Sequence, residues 1–162
     1  MALTLKALNE DGTIDHNSTE PYNASEPLKR DYFTRKNDIL LRLSAPYTVA
    51  IIMDGDENLL VSAHFSIIRA EPNRINSNYL HWWLTQNRKR FYKEASGGSM
   101  MGTISSGYIG QMEISLPSIA EQSIIGSIIQ LSYREQRLLA LLTVKKKLLI
   151  DGVLRNCVTP KE

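Results

Sequence analysis

The chain has 162 residues, 43% hydrophobic and 22% charged, which suits one globular domain with or without an extension and excludes a disordered chain, a collagen-like repeat and a disulfide-stapled miniprotein. Its single cysteine, Cys157, permits neither an internal disulfide nor a cysteine-based zinc cage, and fits a reducing, cytoplasmic setting. Nineteen Lys and Arg against 17 Asp and Glu leave a net charge of +2, so any basic surface for nucleic acid must come from local clustering.

The opening MALTLKALNEDGTIDHN meets charge before any long apolar run and does not read as a signal peptide. Short β-like runs at residues 3–8 and 13–14 flank Asn9, Glu10, Asp11 and Gly12, a hairpin-like turn. Residues 17–27 are polar, contain two prolines and read as a surface loop. Residues 39–43, 48–53, 59–61 and 65–69 are rich in β-branched and aromatic side chains between turn residues, which predicts strands.

The period changes at residues 76–93, NSNYLHWWLTQNRKRFYK. Tyr79, Leu80, Trp83, Leu84 and Phe91 share one face of a predicted helix, with Asn76 or Ser77 as N-cap. Its basic end runs into Ser96, Gly97, Gly98 and Ser99, expected to be a flexible loop, and a short strand is expected over residues 112–116. From Ser118 to about Asn156 the pattern is one long helix opened by a capping box of Ser118 and Glu121. At about 1.5 Å per residue it runs some 55–60 Å, with Gly126 and Gly152 as candidate bends. IIGSIIQLSYREQRLLALL within it is broken by Ser132, Arg134, Glu135 and Arg137 and is too charged to span a membrane, so a soluble protein is expected. The expected fold class is α+β: a compact mixed sheet and helix domain over residues 1–117, one long C-terminal coiled-coil helix over 118–157, and a tail over 158–162.

No catalytic constellation stands out. His16, His64 and His81 lack metal-type spacing, there is no GxxxxGK[ST] or GxGxxG turn, and no methyltransferase [ND]PP[YF] motif. Cys157 reads as a partly buried structural thiol rather than a nucleophile. Asp54, Gly55, Asp56, Glu57 and Asn58 resemble a calcium loop but lack the later bidentate Glu, and a solvated turn is the simpler reading.

Two basic clusters carry the functional signal. Lys29, Arg30, Arg35 and Lys36 surround Tyr32 and Phe33; Arg88, Lys89, Arg90 and Lys93 surround Phe91 and Tyr92. Lys and Arg release counterions on meeting phosphates, while loop hydroxyls reach base edges. Both clusters are expected to face DNA in a single footprint, with base readers among Ser44, Tyr47, Ser96, Ser99 and Thr103. The plainer alternative is that Tyr47 packs beside Pro46 and the serines are solvated.

The segment GTISSGYIGQMEISLPSIAEQ, with Gly98, Ser99, Ile104, Ile109, Ile114, Leu116, Pro117, Ala120, Glu121 and Gln122, resembles the close of a target-recognition domain in specificity (S) subunits of type I restriction–modification systems. Upstream, KNDILL at residues 36–41 is similar to the family's "kGDIL" strand start, with Asn37 where Gly is usual. Residues 61–69 are similar to its "vsshxxxirp" strand, and Asn78, Tyr79 and Leu80 to its "pxYLxxxL" helix. The ordered set runs from Leu5 to the C-terminus. S subunits usually hold two such domains and two conserved helices, so this chain resembles half of one, natural or truncated, without the strand that normally opens the domain.

The resemblance implies a non-catalytic module that recognises one half of a bipartite target in double-stranded DNA. Its helix would serve as spacer and as docking site for modification (methyltransferase) subunits and, through them, the restriction subunit. No cofactor is expected on this chain; S-adenosylmethionine, ATP and Mg would belong to the partners. The competing reading is a coiled-coil oligomerisation or scaffold protein without sequence-specific DNA binding.

Along the helix Ile128, Leu131, Glu135, Leu138, Leu142, Lys145, Leu149 and Gly152 follow the alternating three- and four-residue steps of a coiled-coil seam. Folding the pattern onto an antiparallel copy about Ala140 pairs Leu138 with Leu142, Leu131 with Leu149 and Ile128 with Gly152. Glu135 then meets Lys145 of the other chain twice by symmetry, which predicts an isologous homodimer. The alternative is that the face packs on its own domain or on a different protein.

Overall fold

A computed structural model describes residues 1–98 and 102–158. Three strands form an antiparallel sheet in the order β3-β2-β5: β2 is Ile39–Arg42, β3 is Val49–Ile51 and β5 is Phe65–Ile68. Leu40 lies opposite Ala50 on one side and Ile67 on the other. The central strand does not alternate in hydropathy because both of its faces are covered; Ile39, Leu40 and Leu41 are all fully buried.

Each face has its own core. Ile39, Leu41 and Val49 pack with Tyr79, Leu80, Trp83, Leu84, Phe91 and Ala95 from the helices. Leu40, Ala50 and Phe65 pack with Leu3, Ala7 and Leu8 from the N-terminal region and with Ile52 and Leu59 from the segment after β3. That second layer holds a parallel pair, β1 (Ala2–Leu3) with β4 (Leu60–Val61). The predicted 3–8 run is therefore a two-residue strand only. After it the chain turns, with the Ala7 N–H donating to the Thr4 carbonyl, and Leu8 bridges Ile14 across the 9–12 turn. Gly12 has φ +84°, and a Cβ there would lie 2.6 Å from the Val49 carbonyl oxygen, so the turn accepts no side chain at that position.

The predicted helix over 76–93 is two helices, α1 (Ser77–Gln86) and α2 (Arg88–Gly98). Asn76 caps the first, accepting from the N–H groups of Asn78 and Tyr79. Asn87 separates them: its backbone leaves the helical region, at φ −96° and ψ 14°, while its side-chain amide donates to the Trp83 carbonyl at 2.8 Å. The apolar period survives the break because Phe91 and Ala95, one turn apart on α2, return to the same core. The expected loop at 96–99 is also corrected, since α2 continues through Ser96 to Gly98; Ser99 lies outside the described residues. Residues 112–116 pair with no strand among the described residues. Met112 and Ile114 pack on the helical core, and the Ser115 carbonyl accepts from the Tyr79 hydroxyl at 2.7 Å. A short helix that the sequence reading did not include, α3 (Ser106–Gly110), is capped by Ser105.

The long helix is α4, Ile119–Val158, forty residues. Its capping box forms as expected: Glu121 accepts from the Ser118 N–H at 2.9 Å, and the Ser118 hydroxyl accepts from the Glu121 N–H at 3.3 Å. The chain divides into two compact units, Met1–Gly126 and Ser127–Glu162. The first extends past the expected boundary at Pro117 because buried Gln122 fastens the helix start. It accepts from the Asn76 N–H and donates to the carbonyls of Arg74 and Pro117. The second unit carries residues 127–158 of α4; residues 159–162, most of the predicted tail, lie outside the described residues.

Gly126 is a site of close approach. A Cβ there would lie 2.7 Å from the Asn76 Oδ1 that caps α1, whereas Gly152 has open space around it. Gly126→Ala is therefore expected to destabilise the first unit by about 1 to 2 kcal/mol, displacement of the cap outweighing better helix propensity. Gly152→Ala should stabilise α4 by about 0.5 to 1 kcal/mol. Thermal melts followed by circular dichroism give both signs.

Candidate nucleic-acid interface

The two basic clusters ride on different layers. Lys29, Arg30, Arg35 and Lys36 flank Phe33 and Thr34, which join β4 through the Phe33–Leu60 bridge and the Thr34 N–H bond to Leu59. They therefore belong to the N-terminal layer. Arg88, Lys89, Arg90 and Lys93 lie on α2, which packs on the other face of the sheet. The two clusters, expected in one footprint, thus lie on elements that cover opposite faces of the sheet.

Two of the four cations of the first surface, Arg35 and Lys36, are neutralised by carboxylates. Arg35 pairs with Asp31 at 2.8 Å and Lys36 with Asp54 at 2.6 Å. That bond to Asp54 holds the Lys36 ammonium above its usual pKa. Asp31 also meets Arg69, which in turn pairs with buried Asp38 and donates to the Phe33 carbonyl. The acidic turn is used structurally in the same way, with Asp54 on Lys36 and Asp56 on His16 at 2.7 Å.

The second surface keeps its charge. Among the described residues no carboxylate lies within ion-pair distance of Arg88, Lys89, Arg90 or Lys93. Phe91 and Ala95 bury one stripe of α2 and leave Lys89, Arg90, Lys93 and Ser96 exposed. Arg90 lies over the Trp83 ring, 5.3 Å from its centroid, which holds that guanidinium against the domain. Ser96 donates to the Tyr92 carbonyl at 2.8 Å and so faces back along its own helix. Arg90, Lys93, Glu94, Gly97 and Tyr108 line a shallow surface cleft.

Beside α2 lies a pair of turns far apart in sequence. Ser44 forms an antiparallel bridge with Thr103, and the Ile104 N–H donates to the Leu43 carbonyl at 2.9 Å. The Tyr92 hydroxyl reaches the Pro46 carbonyl at 3.4 Å, and its ring meets that of Tyr47 edge-on at 4.7 Å. Ser44 and Thr103, two of the expected base readers, are thus brought together next to the basic helix. Tyr47 is corrected: its side chain is 2% exposed, and its hydroxyl donates to the Gly102 carbonyl at 2.6 Å. Burial, with a smaller contribution from Tyr92, raises its phenol pKa. Its φ of +52° is unusual for a bulky residue and is held by this packing. The sequence reading missed Arg42, whose Nε donates to the Ser44 hydroxyl at 3.3 Å.

His81 is buried on α1 with Nε2 3.3 Å from the Val49 carbonyl, and burial lowers its pKa. Cys157 is exposed on α4, which corrects the expected partly buried thiol. Among the described residues no three metal-ligating side chains gather, and no helix is long and apolar enough to cross a membrane.

Residues 3–144 match the family described as "Type I restriction modification DNA specificity domain". The chain belongs to that family. Two solved structures resemble this specificity domain in fold. One is described as "Crystal structure of HsdS subunit from Thermoanaerobacter tengcongensis": 17% identity, TM-score 0.52, covering 76% of this chain and 33% of that one. The other comes from "Structural basis underlying complex assembly and conformational transition of the type I R-M system": 18% identity, TM-score 0.50, covering 80% and 36%. This specificity domain therefore spans about a third of the length of each. No curated protein matches it.

Proposed function

We propose that this specificity domain recognises one half of a bipartite target in duplex DNA. The observation that carries the reading is the unpaired basic face of α2 beside the Ser44–Thr103 turn pair, in a chain whose family is defined by DNA specificity. Arg88, Lys89 and Lys93 would grip phosphates and fix register, while the turns would meet base edges. The module itself performs no chemistry. Modification and restriction subunits would supply it together with S-adenosylmethionine, ATP and Mg, and would be positioned through α4.

The second unit supports a role in assembly. Ile128, Leu131, Leu138, Leu142 and Leu149 are all more than half exposed in the single chain, more apolar surface than a solvated helix ordinarily presents. An antiparallel second copy would cover this seam in the register that sets Glu135 against Lys145, giving two recognition domains on one spacer. Gel shift on a pool of random duplexes tests the recognition reading. Salt-sensitive retention is expected; no retention at low salt, with a dimer in solution, would leave only the scaffold role.

A further inference from the structure

We propose that Arg42 reads a guanine in the half-site and that the Ser44 hydroxyl holds its guanidinium in register for that contact. The inference rests on the DNA-recognition reading and names the base chemistry of the same surface.

The other arginines of the compact unit are already engaged or lie at its surface. Arg35, Arg69 and Arg74 are paired to carboxylates. Arg90 is held over Trp83. Arg30 and Arg88 start helical turns on the surface, where they suit phosphates. Arg42 differs from all of these. It closes the central strand β2, is partly buried, and is oriented by a neutral hydroxyl instead of a carboxylate. No ion pair among the described residues neutralises it.

Its support is rigid. The Arg42 N–H donates to the Thr48 carbonyl at 2.9 Å, and Arg42 lies opposite Phe65 in the sheet. Ser44 is fixed from two sides, by its bridge to Thr103 and by the Tyr47 N–H on its carbonyl at 2.9 Å. With Nε engaged, the paired N–H groups of Nη1 and Nη2 remain as a planar fork. That fork matches the O6 and N7 acceptors of guanine in the major groove, and pre-orientation lowers the entropy lost on contact. The basic residues of α2, which reaches the Ser44–Tyr47 turn through Tyr92, would supply the phosphate grip that sets depth and register.

A guanidinium also binds phosphate, so the test must separate the two. Duplexes would be selected from a random library by the intact chain and by Arg42→Lys, Arg42→Ala and Ser44→Ala, with sequencing of the bound pools and titrations at several salt concentrations. Circular dichroism melts establish that each variant is folded. Arg42→Lys keeps the charge and the alkyl stem but loses the fork. We expect one guanine position in the wild-type site to lose preference about five- to hundredfold in Arg42→Lys, with the salt slope unchanged. Arg42→Ala should lose the same preference. Ser44→Ala should reduce it partly, again without changing the salt slope. If Arg42→Lys selects the wild-type sequence, or if Arg42→Ala merely weakens binding to all sequences and flattens the salt slope by about one, Arg42 is a phosphate contact and the proposal fails. A wild-type site without guanine would also overturn it. Failure of the wild type to retain any duplex would instead overturn the recognition reading beneath it.

Discussion

Replacing Arg88, Lys89 and Lys93 together by alanine is expected to weaken duplex binding about one hundredfold at about 0.15 M salt, and to make the salt dependence shallower by about 2 to 3. Each cation on that exposed face of α2 releases roughly one counterion when it meets a phosphate, and none of the three has a carboxylate partner among the described residues. The matching change at Arg35 and Lys36 should move affinity by no more than about twofold, because Asp31 and Asp54 already neutralise those side chains. Fluorescence anisotropy over a salt series reads both effects. Equal losses from the two clusters would mean that the interface extends around both layers of the sheet.

The second large effect concerns self-association. In the proposed antiparallel dimer, Glu135→Lys should weaken self-association about ten- to hundredfold, and adding Lys145→Glu should restore it. In the antiparallel register each chain sets Glu135 against Lys145 of its copy, so one substitution replaces two attractive contacts by two like-charge contacts. Exposed pairs are individually weak, and the duplication by symmetry makes the effect measurable. The flanking Leu138 and Leu142 are more than half exposed in the single chain and would be covered by the same pairing. Sedimentation equilibrium distinguishes the outcomes: a double exchange no better than the single one shows a different register, and a monomeric wild type at high concentration removes the pairing.

Local chemistry made several features legible. The unbroken apolar run Ile39, Leu40, Leu41 marks a strand covered on both faces. Asn76 and the pair Ser118 and Glu121 mark helix starts by side chains that satisfy free backbone N–H groups. The basic stretch on α2 was equally plain, but its freedom from carboxylates was not. The ion pairs that neutralise Arg35 and Lys36 depend on where Asp31 and Asp54 fold to.

What stayed hidden was long-range or conformational. Ser44 and Thr103 meet only because the chain returns to the end of β2, and nothing in either segment announces the other. Tyr47 reads as a surface hydroxyl beside Pro46 until the fold buries its ring and sends its hydroxyl to Gly102. Asn87 is a modest helix former, and the sequence does not announce that its backbone leaves the helix between α1 and α2. Gly126 looked like a weakness in a long helix, although its missing Cβ is what lets α4 approach the cap of α1.

The central claim is that this chain recognises a DNA sequence, not merely the charge of DNA. The measurement that tests it most directly is the ratio of affinities, at one fixed salt concentration, for the duplex the chain enriches from a random pool and for a scrambled duplex of the same composition. Sequence recognition predicts a ratio of about one thousand or more. Equal affinities would contradict the account and leave α2 as a nonspecific basic surface.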